Sequence, residues 1–147
     1  MLYYYFKIFH VITAALLLTS MGYSYSLWRR MRINGRNIAV AEQIQIQTWS
    51  IIVPLAIIQL ATGFTMISVQ HYNLSQLWVT GSVIGFIIVI GSWFSFIYFL
   101  LLSQQALDHT ESKPRLKIYR KAQSVMLSVC AAATLSMIFL MANKTSL

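Results

Sequence analysis

Two ionisable side chains, Lys7 and His10, lie within the first long apolar run of this 147-residue chain. Ionisable residues inside apolar spans are rare and energetically costly, so they are the first candidates for chemistry. Because Lys7 and His10 are three residues apart, they share one face of a helix. At about 1.5 Å of rise per residue, His10 lies roughly 12 Å along the helix from Leu2, and Lys7 lies nearly one turn closer to the headgroups.

A neutral imidazole inside a helical bundle can ligate a metal or haem iron, relay a proton, or hydrogen-bond a neighbouring helix. The ordinary interpretation of His10 is a hydrogen bond to a Ser, Thr or Gln across the bundle. Lys7 alone is typical of an interfacial anchor. A sharper hypothesis includes Lys144, which is expected at the same membrane face. The two lysines would flank an anionic group, such as a porphyrin propionate or a lipid phosphate, while His10 faces the ring or its iron.

The remaining candidate side chains favour structural roles. His71 lies in a short connection, where a solvated histidine is expected more often than a second ligand. His109 lies in a polar connection on the opposite membrane side and should not share a site with the first-helix histidine. Gln59 is expected to face the bundle in a packing role, Pro54 should kink its helix, and Cys130 should be an inert apolar residue.

The composition excludes several classes of protein. Hydrophobic residues make up 58% of the chain and charged residues 10%, against roughly 45–50% and about 25% in soluble domains. These values exclude a disordered chain, a fibrous repeat and an ordinary cytosolic enzyme. The apolar spans contain no Asp or Glu, which weakens the case for a cation pump or transporter. No phosphate-binding loop, dinucleotide fingerprint or paired-cysteine motif occurs.

Four apolar runs are long enough to cross a hydrocarbon core of roughly 30 Å as helices. They cover about 2–28, 48–69, 77–103 and 122–142. Backbone groups in lipid need internal partners, and no run shows the period-two alternation of a barrel strand. The sequence therefore predicts an all-α, integral membrane four-helix bundle with up-down-up-down topology, formed by a single domain over 1–147.

Basic residues are concentrated in two of the three connections. Nine of the eleven Lys and Arg residues follow the first run or precede the fourth; they are Arg29, Arg30, Arg32, Arg36, Lys113, Arg115, Lys117, Arg120 and Lys121. Because Lys and Arg collect on the cytoplasmic side, both termini are predicted to lie outside, in the periplasm of a bacterial inner membrane. The net charge of +8 then reflects topology and contact with lipid headgroups, and no nucleic-acid role is expected.

Small residues recur at helical spacing in three of the runs. The sets are Gly81 and Gly85; Ser124, Ser128, Ala132 and Ser136; and Ala56, Gln59, Thr62 and Gly63. Small residues let helices approach closely in lipid, so these faces predict helix packing. They also support an alternative function, that of a non-enzymatic accessory subunit in a homo-oligomer or a larger membrane complex.

Several short motifs along the chain resemble a family of small bacterial membrane proteins, domain of unknown function 2269. They are Lys7-Ile8-Phe9-His10-Val11, Val53-Pro54, Gln59-Leu60-Ala61-Thr62-Gly63-Phe64, Trp78, Tyr119-Arg120 and Phe139-Leu140-Met141-Ala142-Asn143-Lys144. The resemblance spans almost the full length of the chain. It implies a four-helix membrane protein.

That family is in turn similar to the HemJ-type protoporphyrinogen oxidases, four-helix membrane proteins associated with haem b. The similarity rests on an aromatic residue followed by Lys-x-x-His, here Tyr5, Lys7 and His10. It implies His10 as the haem ligand. This chain departs from the HemJ pattern after Trp78, where Val79-Thr80-Gly81-Ser82 replaces a lysine-containing stretch. It also departs after Arg120, where the Asn-Glu-x-Pro stretch is missing.

These observations lead to two functional hypotheses. The first is a multi-pass inner-membrane protein that binds haem b or a porphyrin through His10, with Lys7 and Lys144 near the propionates, and acts in membrane redox chemistry or haem metabolism. Oxidation of protoporphyrinogen is its most specific form. The second is the accessory subunit, which needs only the lipid bilayer and the small-residue faces.

Overall fold

The structure, a computed structural model, describes residues 1–34, 38–73, 75–108 and 113–143. Five α-helices cover most of these ranges: α1 (Leu2–Asn34), α2 (Ile38–Gln47), α3 (Val53–Val69), α4 (Leu77–Asp108) and α5 (Lys113–Ala142). A π-helical segment, Thr48–Ile52, joins α2 to α3. The described ranges contain no strand, so the prediction of an all-α fold is confirmed.

Four continuous helical segments are long and apolar enough to cross a membrane. They are Tyr3–Ile33, Ile38–Val69, Leu77–Leu107 and Pro114–Ala142. Each has 29 to 32 residues, whereas about 20 apolar residues suffice for the hydrocarbon core. The prediction of four membrane-spanning helices is therefore confirmed.

The helices extend beyond the apolar runs that predicted them. The first run ends near residue 28 but α1 continues to Asn34, and the second span begins at Ile38 rather than near residue 48. Similarly, α4 continues to Asp108 and α5 starts at Lys113. Hydropathy marks where the hydrocarbon ends, not where the helix ends. The added turns are rich in good helix formers such as Gln, Ala, Lys and Arg, and Pro114 lies in a first turn, where proline is tolerated.

The chain forms two compact units, and the first, Met1–Tyr72, pairs α1 with the span formed by α2, the π segment and α3. Hydrogen bonds from Gln47 to Ser20 and from Gln43 to Tyr23 show that the two spans are antiparallel. The core of this unit combines large apolar side chains from both spans; they are Leu17, Met21, Trp28, Ile44 and Ile52.

The π segment ends two residues before Pro54, the residue that was expected to kink its helix. The amide of Val53 bonds the carbonyl of Thr48, five residues earlier, which is the wider π turn. Proline has no amide to donate, and its ring clashes with the carbonyl four residues earlier in an α-helix. The wider turn accommodates this clash, and Pro54 then occupies the first turn of α3.

The second unit, Asn73–Leu147, pairs α4 with α5. A Cβ added at Gly81 would lie 2.6 Å from a methyl carbon of Leu140, and one added at Gly85 would overlap the side chain of Met137. Large side chains of α5 therefore occupy the room that the two glycines leave. The predicted packing role of this glycine pair is confirmed.

The serine-rich face of α5 does not pack against α4. Ser128, Ala132 and Ser136 are exposed, and the two serine hydroxyls bond carbonyls of their own helix at 3.0 and 2.9 Å. Instead, α5 meets α4 through Gln123, Cys130 and Met137, which are seven residues apart. This spacing is typical of a helix–helix seam, and it turns the small residues outward.

Candidate functional site: a polar cluster around His10

His10 is hydrogen-bonded through both ring nitrogens. Its Nδ1 lies 2.7 Å from the hydroxyl oxygen of Thr62, and its Nε2 lies 2.8 Å from the amide nitrogen of Gln59. His10 belongs to α1, and both partners belong to α3. The imidazole therefore bridges the two spans of the first unit.

Thr13 completes the cluster from α1. Its hydroxyl donates to the amide oxygen of Gln59 at 2.7 Å and also lies 3.0 Å from the carbonyl of His10. The hydroxyl of Thr62 in turn bonds the carbonyls of Ile58 and Gln59, at 2.9 and 3.1 Å. We refer to Thr13, His10, Gln59 and Thr62 as the His10 cluster.

The donors and acceptors of the His10 cluster form one consistent order. The side-chain amide of Gln59 directs its oxygen to Thr13 and its nitrogen to His10. The nitrogen therefore donates to Nε2 of His10, and the ring proton lies on Nδ1. That proton is donated to Thr62, whose own proton goes to the carbonyl of Ile58. Every side-chain group in the cluster thus has a partner, which a neutral imidazole in a low-dielectric interior requires.

Helical spacing places the cluster without any irregular backbone. His10 and Thr13 are three residues apart on α1, and Gln59, Thr62 and Gly63 form one face of α3. A Cβ added at Gly63 would lie 3.4 Å from Cε1 of the imidazole. The glycine therefore lets the ring approach the α3 backbone closely, which explains its place beside Thr62.

The cluster is buried where α1 meets α3 and is partly exposed on one side. Thr13 and Thr62 keep only 4% and 7% of their accessible surface, whereas His10 and Gln59 are half-buried. The threonines therefore lie inside the helix pair, and the imidazole and the carboxamide border its surface.

The structure describes only some of the other predicted site residues. Lys7 is exposed, and Lys144 and His109 lie outside the described residues. His71 is exposed, with a left-handed backbone φ of 51°. Within the described ranges no group of three or more His, Cys, Asp or Glu residues is arranged to hold a metal ion.

These contacts show whether a ring nitrogen of His10 is free to ligate haem iron. Iron needs a ring nitrogen with a free lone pair, and here Nε2 already accepts the Gln59 amide while Nδ1 carries the proton. As arranged, the imidazole does not fit an iron ligand, and ligation would require the Gln59 carboxamide to move away. The bond from Nδ1 to Thr62 is nevertheless the kind of second contact that orients a ligating histidine.

Sequence reasoning anticipated part of this cluster. A Ser, Thr or Gln partner for His10 was one of the open alternatives, and Gln59 and Thr62 were placed together on one face. Thr13 was missed. Its signal was a polar residue three positions after His10, on the same helix face.

Comparison with known proteins identifies a family for nearly the whole chain. The family model DUF2269, described as a predicted integral membrane protein, matches residues 4–145. No curated protein and no solved structure matches the chain.

Proposed function

The chain belongs to the DUF2269 family of predicted integral membrane proteins, and from this premise we propose that it is a non-enzymatic subunit of a larger assembly in the bacterial inner membrane. The observation that carries this proposal is the outward small-residue face of α5, formed by Ser128, Ala132 and Ser136. In lipid, helix association depends on close backbone approach, which small residues permit.

The state of the His10 cluster supports the same function. His10, the one histidine within an apolar span, has both ring nitrogens bonded to α3. In this interpretation the hydrogen bonds of the cluster hold α1 against α3, and the chain contributes a stable surface rather than a reaction centre.

A matched pair of substitutions on α5 tests the assembly. Ala132→Leu places a bulky side chain on the small-residue face, whereas Ala131→Leu places the same side chain about 100° around the helix. The protein would be extracted with its native lipids and sized by mass photometry. We expect a wild-type particle larger than one chain, its loss in Ala132→Leu, and its persistence in Ala131→Leu. A monomeric wild type, or equal effects of the two variants, would contradict the proposal.

Haem b or porphyrin binding at His10 is the second candidate, with Lys7 and Lys144 beside the propionates and a role in membrane redox chemistry or haem metabolism. It is favoured by the Thr62 contact, because a proton on Nδ1 makes Nε2 the basic nitrogen. When bound, haem would supply the redox chemistry. The contribution of the chain would be to orient the imidazole through Thr62 and to release Nε2 from Gln59.

A Soret spectrum of the protein purified in detergent separates the two candidates. If the second is correct, the wild type is coloured, His10→Ala is colourless, and Gln59→Ala binds haem at least as well as the wild type because Nε2 is freed. A colourless preparation after haem supplementation would favour the accessory subunit. An unchanged spectrum in His10→Ala would reject this histidine as the ligand.

A further inference from the structure

Two buried polar atoms of the first unit, the Ser24 hydroxyl oxygen and the Gln47 amide oxygen, have no hydrogen-bond partner among the described residues. Ser24 is fully buried, with 0% of its surface accessible. It belongs to α1, and Gln47 is the last residue of α2, directly before the π segment. Unpaired buried polar groups are rare, and each one calls for a physical explanation.

The two atoms belong to one neighbourhood. The side-chain amide nitrogen of Gln47, Nε2, donates to the backbone carbonyl of Ser20 at 3.1 Å. In an α-helix that same carbonyl accepts the backbone amide four residues later, which is the amide of Ser24. The Gln47 side-chain amide and the Ser24 backbone amide thus share one acceptor, and both unpaired oxygens belong to residues that meet at the Ser20 carbonyl.

We propose that Ser24 and Gln47 bind one buried water molecule at this point of the α1–α2 contact. A carboxamide oxygen accepts protons only, while a serine hydroxyl both donates and accepts. One water can donate to the Gln47 oxygen and exchange a second hydrogen bond with the Ser24 hydroxyl. Two to four polar partners are what a buried water needs.

The chemistry of the neighbourhood favours water over an ion. The two unpaired groups and the Ser20 carbonyl are all neutral oxygens, and the nearest carboxylate along the chain, Glu42, is exposed. A cation inside a membrane span held by neutral oxygens alone would have a high desolvation cost. A neutral water avoids the cost of burying a charge and provides the donor that the Gln47 oxygen needs.

The water would lie where the second span changes its helical geometry. Gln47 precedes the π segment, and Thr48, its first residue, donates its hydroxyl to the carbonyl of Ile44 at 2.8 Å. Inserted water and π turns are both recognised causes of local irregularity in helices. The bound water thereby forms a hydrogen-bonded bridge between α1 and the residue directly before the π segment.

Ser24→Ala tests the proposal by the sign of its effect on stability. If the hydroxyl holds water, its removal breaks a hydrogen bond, and we expect a melting temperature lower by about 2–4 °C in detergent. If the hydroxyl is instead buried without a partner, its removal relieves an unfavourable group and the melting temperature rises. Ser128→Ala is the matched control, because that hydroxyl is exposed and bonds its own helix.

Two further measurements separate water from a direct contact. In a double-mutant cycle, Ser24→Ala and Gln47→Leu together should cost little more than either alone, since each removes the same bridge. A crystal structure of the wild type should show a water within hydrogen-bond distance of both oxygens. An unchanged or higher melting temperature in Ser24→Ala, additive effects, or a direct Ser24–Gln47 hydrogen bond would each overturn the proposal.

Discussion

His10 is polar, lies within an apolar span, and is fully hydrogen-bonded by its neighbours. The spacing of Thr13 on α1 and of Gln59 and Thr62 on α3 gives each ring nitrogen a partner at 2.7 or 2.8 Å. In a membrane, such a bond contributes only about 0.6 kcal/mol on average, because the alternative states also find partners. The main role of the cluster is therefore to determine which faces of α1 and α3 meet. Its contribution to the free energy of unfolding is small.

A prediction at the residue scale compares two threonines of α3, one turn apart. Thr62→Val leaves Nδ1 of His10 without its acceptor, and we expect the free energy of unfolding to fall by about 1 kcal/mol. Thr65→Val is the control, because the Thr65 hydroxyl bonds the carbonyl of Ala61 in its own helix. Unfolding in mixed detergent micelles measures both. Equal losses in the two variants would show that the His10 contact contributes nothing specific.

The pairing of α4 and α5 is determined by complementary shapes along a seam. Gly81 and Gly85 leave room on α4, and Leu140 and Met137 of α5 occupy it. At the other end of the seam, Gln123 is almost fully buried and donates to the carbonyl of Phe99 and the hydroxyl of Ser103, both at 3.0 Å. Close packing and a polar contact thus fix the register of the two helices from both ends.

A prediction at the element scale uses two glycines of α4. An added Cβ at Gly85 would overlap Met137, whereas one at Gly91 meets nothing within 4 Å. Alanine favours the helix at both positions, but at Gly85 the overlap should cost roughly 1–3 kcal/mol. We expect Gly85→Ala to be less stable than Gly91→Ala by at least about 1 kcal/mol in the same micelle assay. If Gly85→Ala were instead the more stable of the two variants, α5 would be able to shift freely along α4.

At the scale of the whole molecule, the even number of spans predicts that both termini lie on one side of the membrane. The apolar composition of each span fixes the count, and the distribution of Lys and Arg predicts which side. Arg29 and Arg30 are exposed at the end of α1, and the guanidinium of Arg32 lies 5.4 Å from the ring centroid of Trp28. Basic and aromatic residues together are typical of a cytoplasmic interface.

Labelling of single cysteines tests this topology. In a Cys130→Ala background, which removes the buried native thiol, Asn73→Cys should react with a membrane-impermeant maleimide added to intact cells. Glu42→Cys, also at an exposed position, should react only after the membrane is opened. The opposite pattern would place both termini in the cytoplasm and would reverse the assignment from basic residues.

The sequence by itself determined the fold class, the number of spans and the family, because each depends on the length and composition of apolar runs or on motifs close together in the chain. It also identified His10, Gln59 and Thr62 as notable residues. It did not locate the helix ends, since polar residues such as those of α2 continue a helix as readily as apolar ones.

Only the tertiary structure decided which groups meet. Whether His10 offers a free nitrogen depends on contacts with residues about 50 positions away, and helix periodicity gives faces but no pairing. The same holds for α5, where the regular serine spacing predicted a packing face and the bulkier face with Met137 met α4 instead. Pairing is decided by shape complementarity between two surfaces, and neither surface carries that information alone.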